Sequence, residues 1–171
     1  MLIRTSFLLG AAAAAGALPA AAAELKLEID LPRMNVAEYH RPYVAAWLEK
    51  ADQSFVGNVA LWYDVNKRDN GGAKWLKELR GWWRASGRAQ PALDGVSGAT
   101  RPAGAQPLDL LAARQIAALA PGRYQVVVEA ARENGGREVL RIPFDWPAKG
   151  PQSLKAPGEG ELGGIALEIA P

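Results

Sequence analysis

The sequence predicts a mainly β chain, an antiparallel β-sandwich carrying one short helical insertion. Three observations lead there. Apolar and polar residues alternate at period two in several short runs, Gly, Pro, Asn and Asp clusters separate the runs, and one segment alone switches to helical spacing.

The first run, "ELKLEIDLP", sets Leu25, Leu27, Ile29 and Leu31 against Lys26, Glu28 and Asp30. Strict alternation describes a strand with one buried face, closed here by Pro32. Two apolar runs follow, residues 43–49 and 55–63, joined by the polar stretch 50–54. An antiparallel hairpin is the simplest account of them. "NKRDNGG" then punctuates the chain. In "AKWLKELRGWWRASG" the period changes: Trp75, Leu76, Leu79, Trp82 and Trp83 fall at helical spacing, with Gly87 after the end. A short helix burying its tryptophans against the sandwich is expected, although Gly81 lies inside it.

Strands resume with the short "PLDLL". The clearest hairpin comes next: a Pro121-Gly122 turn, a strand over 124–131, an "ENGG" turn and a returning strand over 138–144. A tail rich in Pro and Gly, 148–164, precedes a last strand at 165–169. Seven or so short strands separated by turns indicate a sandwich rather than a βαβ fold.

The N-terminal residues give the domain organisation. One positive charge, Arg4, precedes an apolar run from Phe7 to Leu18 and a small-residue tract ending Ala21-Ala22-Ala23, with charge resuming at Glu24. This is the layout of a secretory signal peptide, residues 1–23, cleaved after Ala23. A single sandwich domain, 24–171, is then expected in the periplasm, with no direct membrane insertion.

Composition removes several function classes. Of 20 Lys and Arg against 18 Asp and Glu, loss of Arg4 leaves 19 against 18, a balance that argues against nucleic acid as a partner. With no cysteine, disulfides, thiolate ligands and a lipoprotein anchor are excluded. His40 is the one histidine, too few for the usual zinc sites; in "AEYHRPY" it reads as a turn residue with a local hydrogen bond. No Gly-x-Ser-x-Gly occurs, and no Gly-x-Gly-x-x-Gly follows a strand expected from the sequence, so no nucleotide is cradled in the familiar way. No catalytic residue and no metal ligand is assigned.

What remains is "DGVSGATRPAG", residues 94–104. Gly95, Gly98, Ala99 and Gly104 keep this backbone thin enough to enter another protein's active site. Thr100 offers one hydroxyl at its apex, and Asp94 an acceptor at its start. Such a segment suits a substrate loop for a group-transferring enzyme.

"DGVSGAT" resembles the flavinylation motif, Asp-x-x-Ser/Thr-Gly-Ala-Thr, of FMN-binding domains in the sodium-pumping NADH:quinone oxidoreductase and Rnf-type complexes. The resemblance implies covalent FMN on Thr100 through a phosphoester, attached by an exported, magnesium-dependent FAD:protein FMN transferase. Asp94, Ser97, Gly98 and Ala99 are then its recognition sequence. Arg101, next in the chain, is expected to place a positive charge near the phosphate or the reduced ring, with Arg84 and Arg88 in secondary roles. Trp82 and Trp83 are candidates to stack on the flavin.

Over its mature length the chain resembles a family of small periplasmic proteins of unknown function, through "YVAAWLE", "LRGWWRASGR", "GATRPAG" and "LAPGRYQVVVEAARE". Its hairpin also resembles the immunoglobulin-like domain of the flagellar hook-capping protein, which implies an immunoglobulin-like sandwich. The family resemblance implies a periplasmic electron-transfer flavoprotein, an electron carrier rather than a stand-alone enzyme. Its partners would be the transferase and a membrane redox protein, including ones with PepSY domains. The alternative from a different class is a non-redox, immunoglobulin-like adaptor or assembly module, which would be colourless.

Overall fold

The computed structural model describes residues 23–89, 95–112 and 118–171. The expected signal peptide, apart from Ala23, and Asp94 lie outside the described residues. Among those described, nine strands form two facing sheets. The first sheet holds β1 (Glu24–Leu31), β5 (Gly104–Asp109), β8 (Gln152–Pro157) and β9 (Gly164–Ala170), in the order β5-β1-β9-β8. The second holds β2 (Tyr43–Lys50), β3 (Phe55–Tyr63), β4 (Ser97–Ala99), β6 (Gly122–Ala131) and β7 (Arg137–Trp146), in the order β4-β3-β2-β6-β7. The chain crosses between the sheets four times, from β1 to β2, β4 to β5, β5 to β6 and β7 to β8. Crossings of that kind make a sandwich from strands adjacent in sequence.

Leu25, Leu27, Ile29 and Leu31 of β1 are all buried, and the residues between them are exposed. They meet Val44, Ala46, Leu48, Val126, Val128 and Ala130 of the opposite sheet in one core, which Ile165, Leu167 and Ile169 complete. Period two is weaker in β2 and β3 because both faces of the second sheet are covered. Its outer face carries a second core of Ala45, Trp47, Leu61, Tyr63, Val127 and Ala131 under Leu76, Leu79 and Trp82 of the insertion.

Three expectations are corrected. The insertion is a 3-10 segment (Ala73–Glu78), one α turn (Arg80–Trp82) and a π turn (Trp83–Gly87), with Leu79 non-helical between the first two. A 3-10 segment repeats every three residues, so Ala73, Leu76, Leu79 and Trp82 form the inward row. Trp75 falls off that row and stays 48 % exposed. The stretch 94–104 is not loop throughout, since Ser97–Ala99 is an edge strand that pairs parallel to β3; the other strand pairings among the described residues are antiparallel, as the expected sandwich has them. The tail 148–164 contains β8, whose alternating burial and antiparallel register with β9 are those of an ordinary strand.

The insertion is fixed by buried polar groups. Glu129 is fully buried on the outer face of β6. Its carboxylate accepts the Gly81 and Trp82 amides at 3.1 and 2.8 Å and an Arg137 Nη1–H at 2.6 Å. A Cβ at position 81 would sit 3.0 Å from Glu129 Oε2, which accounts for glycine inside this turn. Trp82 Nε1 donates to Asn58 Oδ1 at 2.7 Å, and Asn58 Nδ2 donates to Ser86 Oγ at 2.9 Å. Asn58 reaches this face because Val59 is an extra, unpaired residue in β3: Ala46 pairs with Ala60 and Trp47 with Asn58.

Glu129→Gln offers two amide donors and a guanidinium only a neutral side chain. The expected loss is about 3 kcal/mol, the low end for breaking a buried ion pair, because Arg137 is 39 % exposed and regains water. Urea unfolding followed by tryptophan emission measures it. Lys26→Ala, which breaks an exposed pair with Glu24, should leave the midpoint in place.

Candidate functional site

The predicted motif lies along one edge of the second sheet. Ser97, Gly98 and Ala99 pair with Leu61, Trp62 and Tyr63. Backbone bonds extend the pairing by one residue each way: Leu61 N–H donates to Val96 at 2.8 Å, and Thr100 N–H donates to Tyr63 at 3.2 Å. Gly95 and Gly104 frame the segment with φ of +84° and +118°, a region where side chains are strained. Gly98 is different. Its φ is not positive, and a Cβ there would meet only Trp62 Cδ1, at an ordinary 3.9 Å. Neither strain nor packing requires glycine at 98.

Thr100 is half-buried, and Arg101 after it is exposed. The Arg101 guanidinium lies over the Trp62 ring, 5.5 Å from its centroid, so this charge is held against the sheet edge by a cation–π contact. Arg84 and Arg88 are exposed on the insertion. Trp82 is enclosed, with its indole N–H bonded to Asn58. Trp83, tilted at 55° to it with centroids 6.2 Å apart, is half-buried.

Thr100 also lines a cleft of about 840 Å³. The cleft sits at the end of the second sheet where β2 and β7 begin and β3 and β6 finish. Tyr43, Asp64, Ala131 and Arg137 come from those strand ends, Tyr39, His40 and Arg41 from the approach to β2, and Lys67 from the connection after β3. Trp75, Glu78 and Arg80 come from the insertion, and residues 132–136 from the β6–β7 turn. The structure thus joins Thr100 to residues that sequence reasoning passed over. A signal for two of them was present: Trp75 and Glu78 form a row of period three beside the buried Leu76, Leu79 and Trp82.

Two of the arginines are committed. Arg132, 8 % exposed, pairs with Glu161 through Nε at 2.9 Å and Nη2 at 3.2 Å, and Glu161 also accepts the Gly136 amide. Arg137 is tied to Glu129. Arg41, Lys67 and Arg80 form no ion pair with a described residue. His40 Nε2 lies 3.2 Å from a Glu38 carboxylate oxygen, and Nδ1 lies 3.9 Å from one of Glu133.

Tyr43 donates its hydroxyl to the Gly72 carbonyl at 3.2 Å and stands edge-on to Tyr63. Burial pushes this phenol above its ordinary value, partly offset by a hydrogen bond from the Asp64 amide and reinforced by the Asp64 charge. A raised folded-state pKa means that its contribution to stability is complete below the unfolded value, about pH 10, and is lost as pH rises through the folded one. The urea midpoint should therefore fall above about pH 10, and should fall less in Tyr43→Phe than in the wild type.

No curated protein and no solved structure matches the chain. Among the described residues, no helix is long and apolar enough to cross a membrane. One family model does match, over residues 24–164, from the start of β1 to the first residue of β9. The chain belongs to the family described as predicted periplasmic protein (DUF2271).

Proposed function

We propose that this protein is a periplasmic electron carrier holding FMN on Thr100 as a phosphoester. The observation that carries the reading is the coincidence of the Ser-Gly-Ala-Thr motif with the cleft: the motif's threonine lines an open volume of about 840 Å³ that also holds exposed aromatic side chains and cations with no ion-pair partner among the described residues. Ligand sites for molecules of this size run from roughly 300 to 1,000 Å³, so the space and its lining fit a flavin nucleotide. The family's periplasmic description agrees with the compartment in which an exported transferase works.

Gly98 adds independent support. The fold tolerates a Cβ there, so glycine is not required by the fold, and the thin backbone it leaves suits recognition by a narrow transferase site. A short edge strand with one paired side is also easily lifted from the sheet. In the transfer, Thr100 Oγ loses its proton and forms a bond to the FMN phosphorus of FAD, the pyrophosphate bond breaks, and AMP leaves. The bound flavin supplies the redox chemistry; the protein supplies the anchor and the surroundings. The electron partner proposed is a membrane redox protein, PepSY-containing ones included.

Intact mass after co-production with an active FAD:protein FMN transferase tests the reading. The wild type should gain one FMN less a water and be yellow, and Thr100→Ala should gain nothing while keeping its urea midpoint. Gly98→Ala should fold as well as the wild type but take up flavin at least tenfold more slowly. An unmodified, colourless wild type, beside a control substrate that is modified, would overturn the proposal and favour the adaptor.

A further inference from the structure

We propose that the cleft is the seat of the flavin ring, with Trp75 as the surface it stacks on and Arg80 as the cation at its polar edge. This deepens the preceding reading and rests on it. Four large apolar side chains are exposed among the described residues, Val36, Tyr39, Val65 and Trp75, and the two aromatic ones both line this cleft. Trp75 is 48 % exposed although the same 3-10 segment buries Leu76 completely. Its exposure follows from the period of the segment, and that period turns the indole toward the volume Thr100 also borders. A flat aromatic ligand is what an open indole accepts best, in offset or tilted contact.

The backbone beneath these side chains is held. Arg80 directly precedes the two amides clasped by Glu129, and Glu78 and Trp75 precede it on the same insertion. Arg80 is exposed and forms no ion pair with a described residue, so its charge is available to a ligand. A cation at the polar edge of the ring favours the reduced, more electron-rich form. Trp82 is excluded from stacking by its burial, and Trp83 is absent from the lining of the cleft.

The test separates attachment from seating. Wild type and variants are loaded with the transferase, attachment is read by intact mass, and seating by flavin emission and its polarisation. In the wild type the emission should be quenched and as polarised as the whole protein demands. Trp75→Ala should show the same mass gain with emission raised at least threefold, and Trp83→Ala should stay quenched. Arg80→Gln should lower the midpoint potential of the bound flavin. Equal emission in Trp75→Ala and wild type would overturn the seat, as would depolarised wild-type emission from a ring swinging on its tether, whatever the variants do. A wild type that gains no mass overturns attachment itself, a result distinguishable from both.

Discussion

One buried carboxylate organises the outer half of this protein. Glu129 occupies a central strand of the second sheet with no contact with water, and a carboxylate so placed must be fully bonded or it unfolds its surroundings. Its three partners come from different parts of the chain: the Gly81 and Trp82 amides of the insertion and the Arg137 guanidinium at the start of β7. Meeting them docks the insertion on the sheet and closes the second core over Trp47, Leu61 and Val127. It also fixes the neighbours of those partners, because Arg137 itself lines the cleft and Arg80 adjoins the clasped amides.

Two further carboxylates do comparable work on the opposite wall. Glu161 holds Arg132 and the Gly136 amide, while Glu138 accepts the amides of Glu159, Gly160 and Leu162. The β6–β7 turn is thereby fastened to the loop that leads into β9. Charged hydrogen bonds of this kind are shorter and stronger than neutral ones, and in a chain without cysteine they are the available substitutes for covalent staples. One wall of the cleft is thus tied by charged hydrogen bonds, beside a motif strand bound through only three pairs.

The first core was legible because β1 and β9 keep period two and β6 is bracketed by its two turns, and each matched its expected strand within a few residues. The hairpin of β2 and β3 was legible from its polar turn, in which Gln53 adopts a φ of +67°. What the sequence concealed were features set by contacts at long range. The α turn at 80–82 is clasped by Glu129, some fifty residues onward, and an amphipathic pattern read at 3.6 residues misplaces Trp75 onto the buried face. The parallel pairing of Ser97–Ala99 leaves no mark on three small residues. Thr100 was singled out as a hydroxyl; its cleft was invisible, because Tyr39, Lys67, Trp75 and Arg137 become neighbours only through the strand order.

Arg101 illustrates how adjacency in sequence differs from adjacency in function. Its place beside Thr100 makes it the obvious charge for a bound phosphate, yet its guanidinium rests on Trp62 at the sheet edge. A cation–π contact on an exposed residue is worth about 0.5–1 kcal/mol, little enough for the single negative charge of the proposed phosphodiester to draw the arginine away. Arg80 faces no such competition, since it has no described ion-pair partner and its backbone is already fixed. The two arginines thus differ in kind: one is poised at the anchor and must move to act, the other stands on the insertion, held in place by Glu129. For the proposed carrier, the two arrangements together would let the strand respond to attachment while the surroundings of the cleft stay constant, and that constancy is what a defined potential requires.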